Sequence, residues 1–461
     1  MQPSFDNTIC APATARGGAI AVIRVSGTDA IRCVDRIFQG KRPLSEAKGY
    51  SMHFGSVREA DGTLLDEVVV SVYLAPHSYT GENAAEIACH GSDYIVSRIL
   101  ALLLENGSKM AAPGEFTQRA FVNGKMDLSQ AEAVADVISA QTAAAHRVAI
   151  RQLKGGFSDE LADMRAELLH LASLMELELD FSEEDVEFAN RSQLRELVEK
   201  VLTHCEKLIE SFRLGNAIKN GVPVAIVGNT NAGKSTLLNA LLGENRAIVS
   251  DIPGTTRDTI EETFNLDGVL FRFIDTAGLR NSDDTIERIG IERAYDKLAA
   301  AQIVLALLDL TTPLPDLLAS ARDIADRVTE DQQLILLLNK ADAVSTATID
   351  TARTSLPGHS VFVISAKSGL GLEGLKKAIA DTWSHLDTAS ETTLVTNTRH
   401  LEALQNAATA LRRVRDGIGS VPTDLLAQDL RECLYHLGTI VGQISDKEIL
   451  TNIFSRFCIG K

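Results

Sequence analysis

Short apolar runs and longer amphipathic stripes follow one another along the chain in three blocks. Between residues 1 and 122, β-type runs alternate with a helical stretch. Ala19 to Val25 and Glu67 to Leu74 read as buried strands, the second preceded by the hairpin-like turn Ala60-Asp-Gly-Thr63, and Ser92 to Asn106 reads as an apolar helix. From Leu128 the period becomes helical. Phe157, Leu161, Met164, Leu168, Leu171 and Met175 step by four and three, which places them on one stripe of a long amphipathic helix. Gly155-Gly156 separates that helix from the one before it. Apolar strands return at Val222 to Val227, Leu270 to Ile274, Leu334 to Leu338 and Val361 to Ile364. The helical stripe then resumes through Leu401, Leu404, Ala408 and Leu411, and again through Leu426, Leu430, Cys433, Leu437, Ile440 and Ile444, with the polar stretch Ser384 to Thr398 as a linker. Such stripes are core positions before they are anything else. The pattern predicts a multidomain chain, α/β plus all-α: an N-terminal α/β domain at 1–122, a helical segment at 123–215, an α/β domain at 216–383 and a second helical segment at 384–461. The third block interrupts a helical domain made of two distant pieces. There is no short-period repeat and no low-complexity tract.

Chemistry concentrates where the strands of the third block end. Gly228-Asn-Thr-Asn-Ala-Gly-Lys-Ser235 has the form GxxxxGKS and follows an apolar strand. A loop of this kind wraps its backbone N–H groups around nucleotide phosphates, with Lys234 on the β- and γ-phosphates and the Ser235 hydroxyl on Mg²⁺. The neighbouring Asn231, Ala232, Gly233 and Thr236 belong to the same phosphate-binding turn. Asp275-Thr-Ala-Gly278 ends the next strand, where Asp275 would hold Mg²⁺ through its water shell and Gly278 would offer its N–H to the γ-phosphate, with Thr276 and Ala277 between them. Asn339-Lys340-Ala341-Asp342 follows a third strand. A carboxylate at Asp342 accepts from the guanine N1–H and 2-amino group, and adenine has neither donor there, so this acid selects GTP over ATP. Ser365-Ala366-Lys367 follows the fourth strand as a loop that covers the guanine O6. Four motifs in this order at carboxyl ends of strands fit ligand binding in an open α/β sheet. The set resembles the Ras-like, translation-factor-type GTPases, which makes the inserted block a Ras-like P-loop GTPase domain.

Composition agrees with a large enzyme of about three domains. No run approaches the roughly 18 apolar residues of a membrane span. Met1 to Thr14 has neither a basic n-region nor an apolar h-region, so it does not read as a secretory signal. The six cysteines (Cys10, Cys33, Cys89, Cys205, Cys433 and Cys458) are scattered without a CxxC pair. That argues against zinc and a disulfide framework, and for a reducing, cytoplasmic setting. The low aromatic content of 5% and the abundant Ala predict much helix. A net charge of −17 bears on any RNA partner, because phosphate neutralisation needs a local positive surface. Seven acids sit within Glu176 to Glu187, and the basic piece Arg412-Arg413-Val-Arg415 reads more readily as a solvated helix face than as an RNA patch. RNA affinity of the lone chain is therefore expected to be weak, with a partner strengthening it.

The switch region departs from Ras. In Asp251-Ile-Pro-Gly-Thr-Thr-Arg-Asp258, Thr256 is the candidate second Mg²⁺ hydroxyl, and Ser250, Asp251, Ile252, Pro253, Gly254 and Thr255 line the nucleotide. Ras-like enzymes orient the attacking water with a Gln close to where Leu279 and Arg280 stand here, and no Gln occurs from Leu279 to Arg293. Leucine cannot orient water. Glu287 is the best candidate carboxylate, although on its own an acid in the first turn of a helix from Ile286 to Ala300 also complements the helix dipole.

Asn231, the Gly-Thr-Thr-Arg-Asp switch, the apolar residue after Asp275-Thr-Ala-Gly278 and Glu287-Arg-Ile-Gly-Ile-Glu292 together resemble the MnmE (TrmE) family of tRNA modification GTPases. So do Phe457-Cys-Ile-Gly-Lys461 at the end, Arg16-Gly-Gly and Ile23-Arg-Val-Ser-Gly27 at the start, then Tyr79-Thr-Gly-Glu82, His90-Gly91 and Pro113-Gly-Glu-Phe-Thr-Gln-Arg-Ala-Phe121. The resemblance spans essentially the whole chain. It implies a homodimer through the N-terminal domain, with G domains that meet during turnover and K⁺ in place of an arginine finger. Asn231, Ser250, Ile252 and Thr255 would hold that ion, and Glu287 with Lys234 would be catalytic. Ser250 stands where Thr is expected and Thr230 where Pro is expected, which bears on loop geometry. The N-terminal domain would be folate-binding, with Arg24, Glu86, Lys125 and Lys461 as ligands of 5-formyl- or 5,10-methylene-tetrahydrofolate, and Cys458 as an optional one-carbon relay. The implied reaction uses the FAD- and NADH-dependent partner MnmG to build a carboxymethylaminomethyl or aminomethyl group on C5 of the tRNA wobble uridine, with no membrane involved. A ribosome-assembly GTPase of the Era or Der type shares the switch, but it places its G domain near the N-terminus and appends an RNA-binding module, and no KH-type module follows Ser365. A membrane or stress switch would need an anchor or a basic amphipathic helix, which the sequence lacks.

Overall fold

The computed structural model describes residues 6–15, 17–180, 191–243, 262–266, 268–274, 298, 300–383, 392–444, 447–455, 457–458 and 460. Within them the chain forms two compact units. One holds residues 1–135, 153–162 and 437–461, and the other 136–152 and 163–436.

The first unit is built on a seven-stranded sheet from β1 (Ile9–Pro12), β2 (Ile20–Ser26), β3 (Phe38–Gly40), β4 (Ser51–Arg58), β5 (Leu64–Tyr73), β6 (Ala84–His90) and β7 (Lys109–Met110). Their order is β3-β4-β5-β6-β2-β1-β7. All pairs are antiparallel except β1 with β7. The hairpin β4–β5 is closed by a turn in which Gly62 takes φ +88°, the conformation that glycine adopts without strain. Helices α1 (Ala30–Asp35) and α2 (Asp93–Glu105) bury Val34, Ile99, Leu102 and Leu103 against Ile23, Val25, Val70 and Ile87 of the sheet. Helix α3 (Glu115–Val122) and the start of α4 (Leu128–Ser139) follow. The C-terminal helix α14 (Lys447–Ser455) packs Leu450 and Phe454 with Leu128 and Ala131.

The second unit is a three-layer α/β fold with helices continuing from it. Its sheet comprises β8 (Val222–Gly228), β9 (Glu262–Leu266), β10 (Val269–Phe273), β11 (Ile303–Asp309), β12 (Gln333–Asn339) and β13 (Ser360–Val363), ordered β13-β12-β11-β8-β10-β9. Only the β9–β10 hairpin is antiparallel. The parallel strands are buried on both faces, which is why they read as continuous apolar runs rather than alternating ones. Helices α8 (Lys234–Leu242) and α11 (Leu372–Trp383) cover one face, and α9 (Leu314–Ala325) and α10 (Thr346–Thr354) the other.

Helices α5 (Ala143–Leu153), α6 (Gly156–Asp180), α7 (Arg191–Asn220), α12 (Thr398–Gly417) and α13 (Thr423–Val441) complete the chain. The stripe from Phe157 to Met175 is buried at all six positions, and Gly155 before it takes φ +90°. Helices α7 and α12 pack along one another, so the segments before and after the GTPase block do meet.

At three places the structure goes beyond the sequence pattern. The stripe through Ile444 ends early: Gly442, at φ +80°, stops α13 at Val441 and leaves Ile444 exposed. The described end of the polar linker is anchored rather than loose, because Leu394, Val395 and Thr396 are buried. Gln152 donates to Leu394 O at 3.2 Å and the Ser211 hydroxyl accepts from Val395 N at 3.1 Å. Lastly, Ala144, Ala145 and Val148 of α5 join the same apolar cluster as Val224, Leu237 and Phe271, so a helix from outside the 216–383 block helps to bury its sheet.

Candidate guanine-nucleotide site and N-terminal cavity

The end of β8 turns sharply because it must pass β11: a Cβ on Gly228 would collide with Leu307 O, and Gly228 takes φ +152°. Asn231 is left-handed at φ +62°, and Gly233, at φ +102°, starts α8. A curled loop of this kind at a helix start can present backbone N–H groups to an anion. Lys234 Nζ donates to Gly228 O at 2.8 Å and to Asn229 O at 2.9 Å, so the ammonium is laid back across its own loop. Burial lowers its pKa, a desolvation that arriving phosphates would relieve. Ser235 lies in the first turn of α8 and is partly buried, while Thr236 is exposed.

Asn339 ties the site together. Its Nδ2 donates to Ala232 O in the phosphate loop at 2.7 Å, and its Oδ1 accepts from Ala366 N at 3.0 Å. One nearly buried amide thus holds the phosphate loop and the Ser365–Lys367 loop in fixed relation to β12. Lys340 follows in the left-handed region at φ +66°, and its Nζ meets Asp309 Oδ2 at 2.6 Å. Asp342 is exposed, and a hydrogen bond from buried Ser365, with the charge of Lys367, holds its carboxyl below the usual range. An ionised acceptor is therefore presented beside the loop that would face guanine O6. Residues 250–256, 275–278, Glu287 and Lys461 lie outside the described residues.

The first unit holds a separate cavity of about 210 Å³, lined by Arg24, Ser26, Tyr73, Tyr79, Thr80, Ala84 and Glu86. Arg24 and Glu86 are Cα partners across β2 and β6, and their side chains form an ion pair at 2.8 Å. The guanidinium also lies 5.5 Å from the Tyr79 ring centre and 5.7 Å from that of Phe116, and it donates to Gly460 O at 3.3 Å. The chain end is thereby drawn to β2. Behind Tyr79 and Thr80, fully buried Arg119 contacts Glu82 at 3.1 Å and Glu115 at 2.8 Å. Ser26 donates to Glu82 at 2.7 Å, which connects that network to the cavity wall. Lys125 reaches Pro76 O at 3.1 Å, on the loop that carries Tyr79, and does not line the cavity. Cys458 is exposed, whereas the other five cysteines are buried. Sequence reasoning missed Gly460 and Tyr79 at this place. Tyr79 stands in a motif, but nothing local points it at Arg24.

The basic run on α12 is spent on acids. Arg412 meets Glu206 at 2.8 Å, Arg413 meets Asp429 at 2.8 Å and Glu432 at 2.6 Å, and Arg415 meets Asp416 at 2.8 Å. Among the described residues no helix is long and apolar enough to cross a membrane.

A parallel sheet, a phosphate loop leaving its central strand and a guanine-type acid two strands away define a P-loop GTPase. The whole chain places it more narrowly. Residues 128–458 match the MnmE helical domain family, and residues 8–125 match the family of the GTP-binding protein TrmE N-terminus. A tRNA modification GTPase MnmE of Parabacteroides distasonis is 52% identical over 99% of this chain and 100% of its own length. Those of Bacteroides thetaiotaomicron and Cytophaga hutchinsonii are 51% and 49% identical over 99% of this chain and 99% and 98% of theirs. The chain belongs to the MnmE family of tRNA modification GTPases.

Proposed function

We propose that this GTPase acts in tRNA modification as a homodimer with an MnmG-type partner that uses FAD and NADH. Together they install a carboxymethylaminomethyl or aminomethyl group on C5 of the wobble uridine. The reading is carried by one observation: the nucleotide site sits within a chain whose entire length aligns with tRNA modification GTPases. The paired arginines of α12 favour a division of labour in which the partner supplies much of the tRNA affinity. Residues 216–383 would act as the nucleotide-driven unit, with motion passed to the helices through both of its connections.

In turnover, Lys234 and the phosphate-loop amides would hold the β- and γ-phosphates, Ser235 and Thr256 would ligate Mg²⁺, and Asp342 would read guanine. Charge accumulates on the transferring phosphoryl group, and a cation there stabilises it. Asn231 with Ser250, Ile252 and Thr255 would hold a K⁺ ion, which would supply that charge. The left-handed turn at Asn231 displays its side chain at the exposed rim of the loop, as such a ligand needs. Glu287 orients the attacking water, since the usual glutamine is missing. One assay examines both roles. GTP hydrolysis is expected to run faster in KCl than in NaCl at equal ionic strength, and Glu287→Ala is expected to keep GTP binding while turnover falls by about a hundredfold or more. Equal rates in the two salts would remove the K⁺ site, and a near wild-type turnover number would remove Glu287.

The cavity in the N-terminal unit suits the pterin end of a folate. It offers a flat aromatic wall at Tyr79, a cation at Arg24 and a carboxylate at Glu86. Because Arg24 already engages Oε1 of Glu86, the ligand meets a joined donor–acceptor edge rather than two separate anchors. Such a ligand would supply the one-carbon unit. Lys125 and Lys461 would serve the glutamate tail, and Cys458, exposed beside the chain end, is the candidate relay. Isothermal titration is expected to detect 5-formyltetrahydrofolate binding in the wild type and to lose it in Arg24→Ala. Heat-silent titration of the wild type, checked by equilibrium dialysis, would sink the site.

A further inference from the structure

Asp309, which pairs with Lys340 of the guanine motif, belongs to none of the motifs that define the nucleotide site. Asp309 ends β11 and is the Cα partner of Asn339 on β12. Leu310 N donates to Asn339 O at 3.1 Å, which locks the two strand ends together. One carboxylate oxygen of Asp309 accepts from Thr311 N at 2.9 Å and Thr311 Oγ1 at 2.6 Å, and the other accepts from Lys340 Nζ at 2.6 Å. The carboxylate is largely buried, whereas the Lys340 side chain is partly exposed. Burial opposes its charge, yet the hydrogen bonds from Lys340 and Thr311 outweigh that and keep the carboxyl below its usual pKa.

Lys340 has an unusual backbone. A left-handed, non-glycine residue is strained and persists only where its surroundings over-determine it. The surroundings here are Asp309 at the tip of the side chain and Asn339, held by Ala232 and Ala366, immediately before it. With its backbone fixed at β12 and its ammonium fixed at β11, the four-carbon stem of Lys340 spans the two strand ends next to Asn339 and two residues before Asp342. It forms a short apolar bridge beside the acid that reads guanine.

We infer that Asp309 is a positioning residue for nucleotide recognition. By holding the Lys340 ammonium, it stretches the lysine stem into a preformed apolar floor under the purine ring and keeps the turn that presents Asp342 in its binding conformation. A free Lys340 would have to surrender its rotamer freedom when the nucleotide arrives, and the pair removes that cost beforehand. The inference rests on the guanine-site reading. Its effect falls on the base, so GTP and GDP lose affinity equally, unlike a disturbance of the γ-phosphate site.

Fluorescent-nucleotide displacement on the full-length chain, with melting by circular dichroism as a folding control, tests it. Asp309→Asn is expected to raise Kd about tenfold for both GTP and GDP, with their ratio unchanged and the turnover number within about twofold. Asp309→Glu is expected to recover part of the loss. The double variant Asp309→Asn with Lys340→Met should bind no more weakly than Lys340→Met alone, since Asp309 acts through that lysine. Additive losses, or wild-type affinity in Asp309→Asn beside a weakened Lys340→Met, would overturn the role of Asp309 alone. Wild-type affinity in Lys340→Met would overturn this inference and leave the guanine-site reading, which Asp342→Asn tests, standing.

Discussion

Lys234→Ala is expected to leave a folded chain that binds GTP at least about a hundredfold more weakly and turns it over at a background rate. Gly228, Asn231 and Gly233 supply the positive φ angles that curl the backbone, and the curl does not depend on the lysine side chain. Removing the side chain deletes two hydrogen bonds to loop carbonyls, from Lys234 to Gly228 O and Asn229 O. These carbonyls lie at a partly exposed rim, where water replaces the donor at little cost. The fold therefore survives. Binding does not, because the ammonium is the one mobile cation in the described loop that can meet the β- and γ-phosphates. Burial makes its charge costly without them, so its loss is felt when they arrive. A melting temperature close to wild type together with lost mant-GTP binding is the expected pair of observations. Retained binding would remove the phosphate role of Lys234.

Asp342→Asn is expected to exchange the base rather than abolish the site. The ionised carboxylate accepts two hydrogen bonds from guanine, each worth about 1.5–3 kcal/mol to a charged acceptor, so GTP affinity should fall by roughly 10²- to 10⁴-fold. Xanthine carries a carbonyl in place of the 2-amino group, and the asparagine amide can donate to it, so XTP should bind in place of GTP. The exchange requires that everything else around the base stay in place. Asn339 holds the phosphate loop and Ala366 through its own side chain, and Ser365 can still bond an amide oxygen at 342. XTP hydrolysis by Asp342→Asn serves as the folding control within the same experiment. Loss of GTP without gain of XTP would mean that Asp342 supports the loop rather than reading the base.

Much of this site was legible because its parts are local. Each motif is a run of a few residues at the end of an apolar strand, and a buried parallel strand writes itself as a continuous apolar run. The helical stripes were legible for the same reason: burial along α6, α12 and α13 repeats at the period of the helix. What remained hidden is non-local. Asp309 lies in the run Leu307-Leu-Asp-Leu310, which carries no motif, and its meaning comes from strand β12 lying beside β11. The hydrogen bond from Arg24 to Gly460 O joins residues 436 positions apart, and no pattern in either segment announces it. Leu394 and Val395 were lost in a polar stretch because two apolar residues form no period, although Gln152 and Ser211 pin them in place. The arginines of α12 posed the opposite case. They looked basic in sequence, and only the placement of Glu206, Asp429 and Glu432 shows where their charge is spent.

The central claim joins GTP turnover to tRNA modification in one chain, and nucleoside mass spectrometry of bulk tRNA tests it most directly. Cells lacking this chain should lose their C5-aminomethyl-type wobble uridines, regain them with the wild-type protein and fail to regain them with Lys234→Ala expressed at equal level. Persistence of those nucleosides in the deleted cells, with ribosomal precursors accumulating instead, would contradict the account and assign the GTPase to assembly.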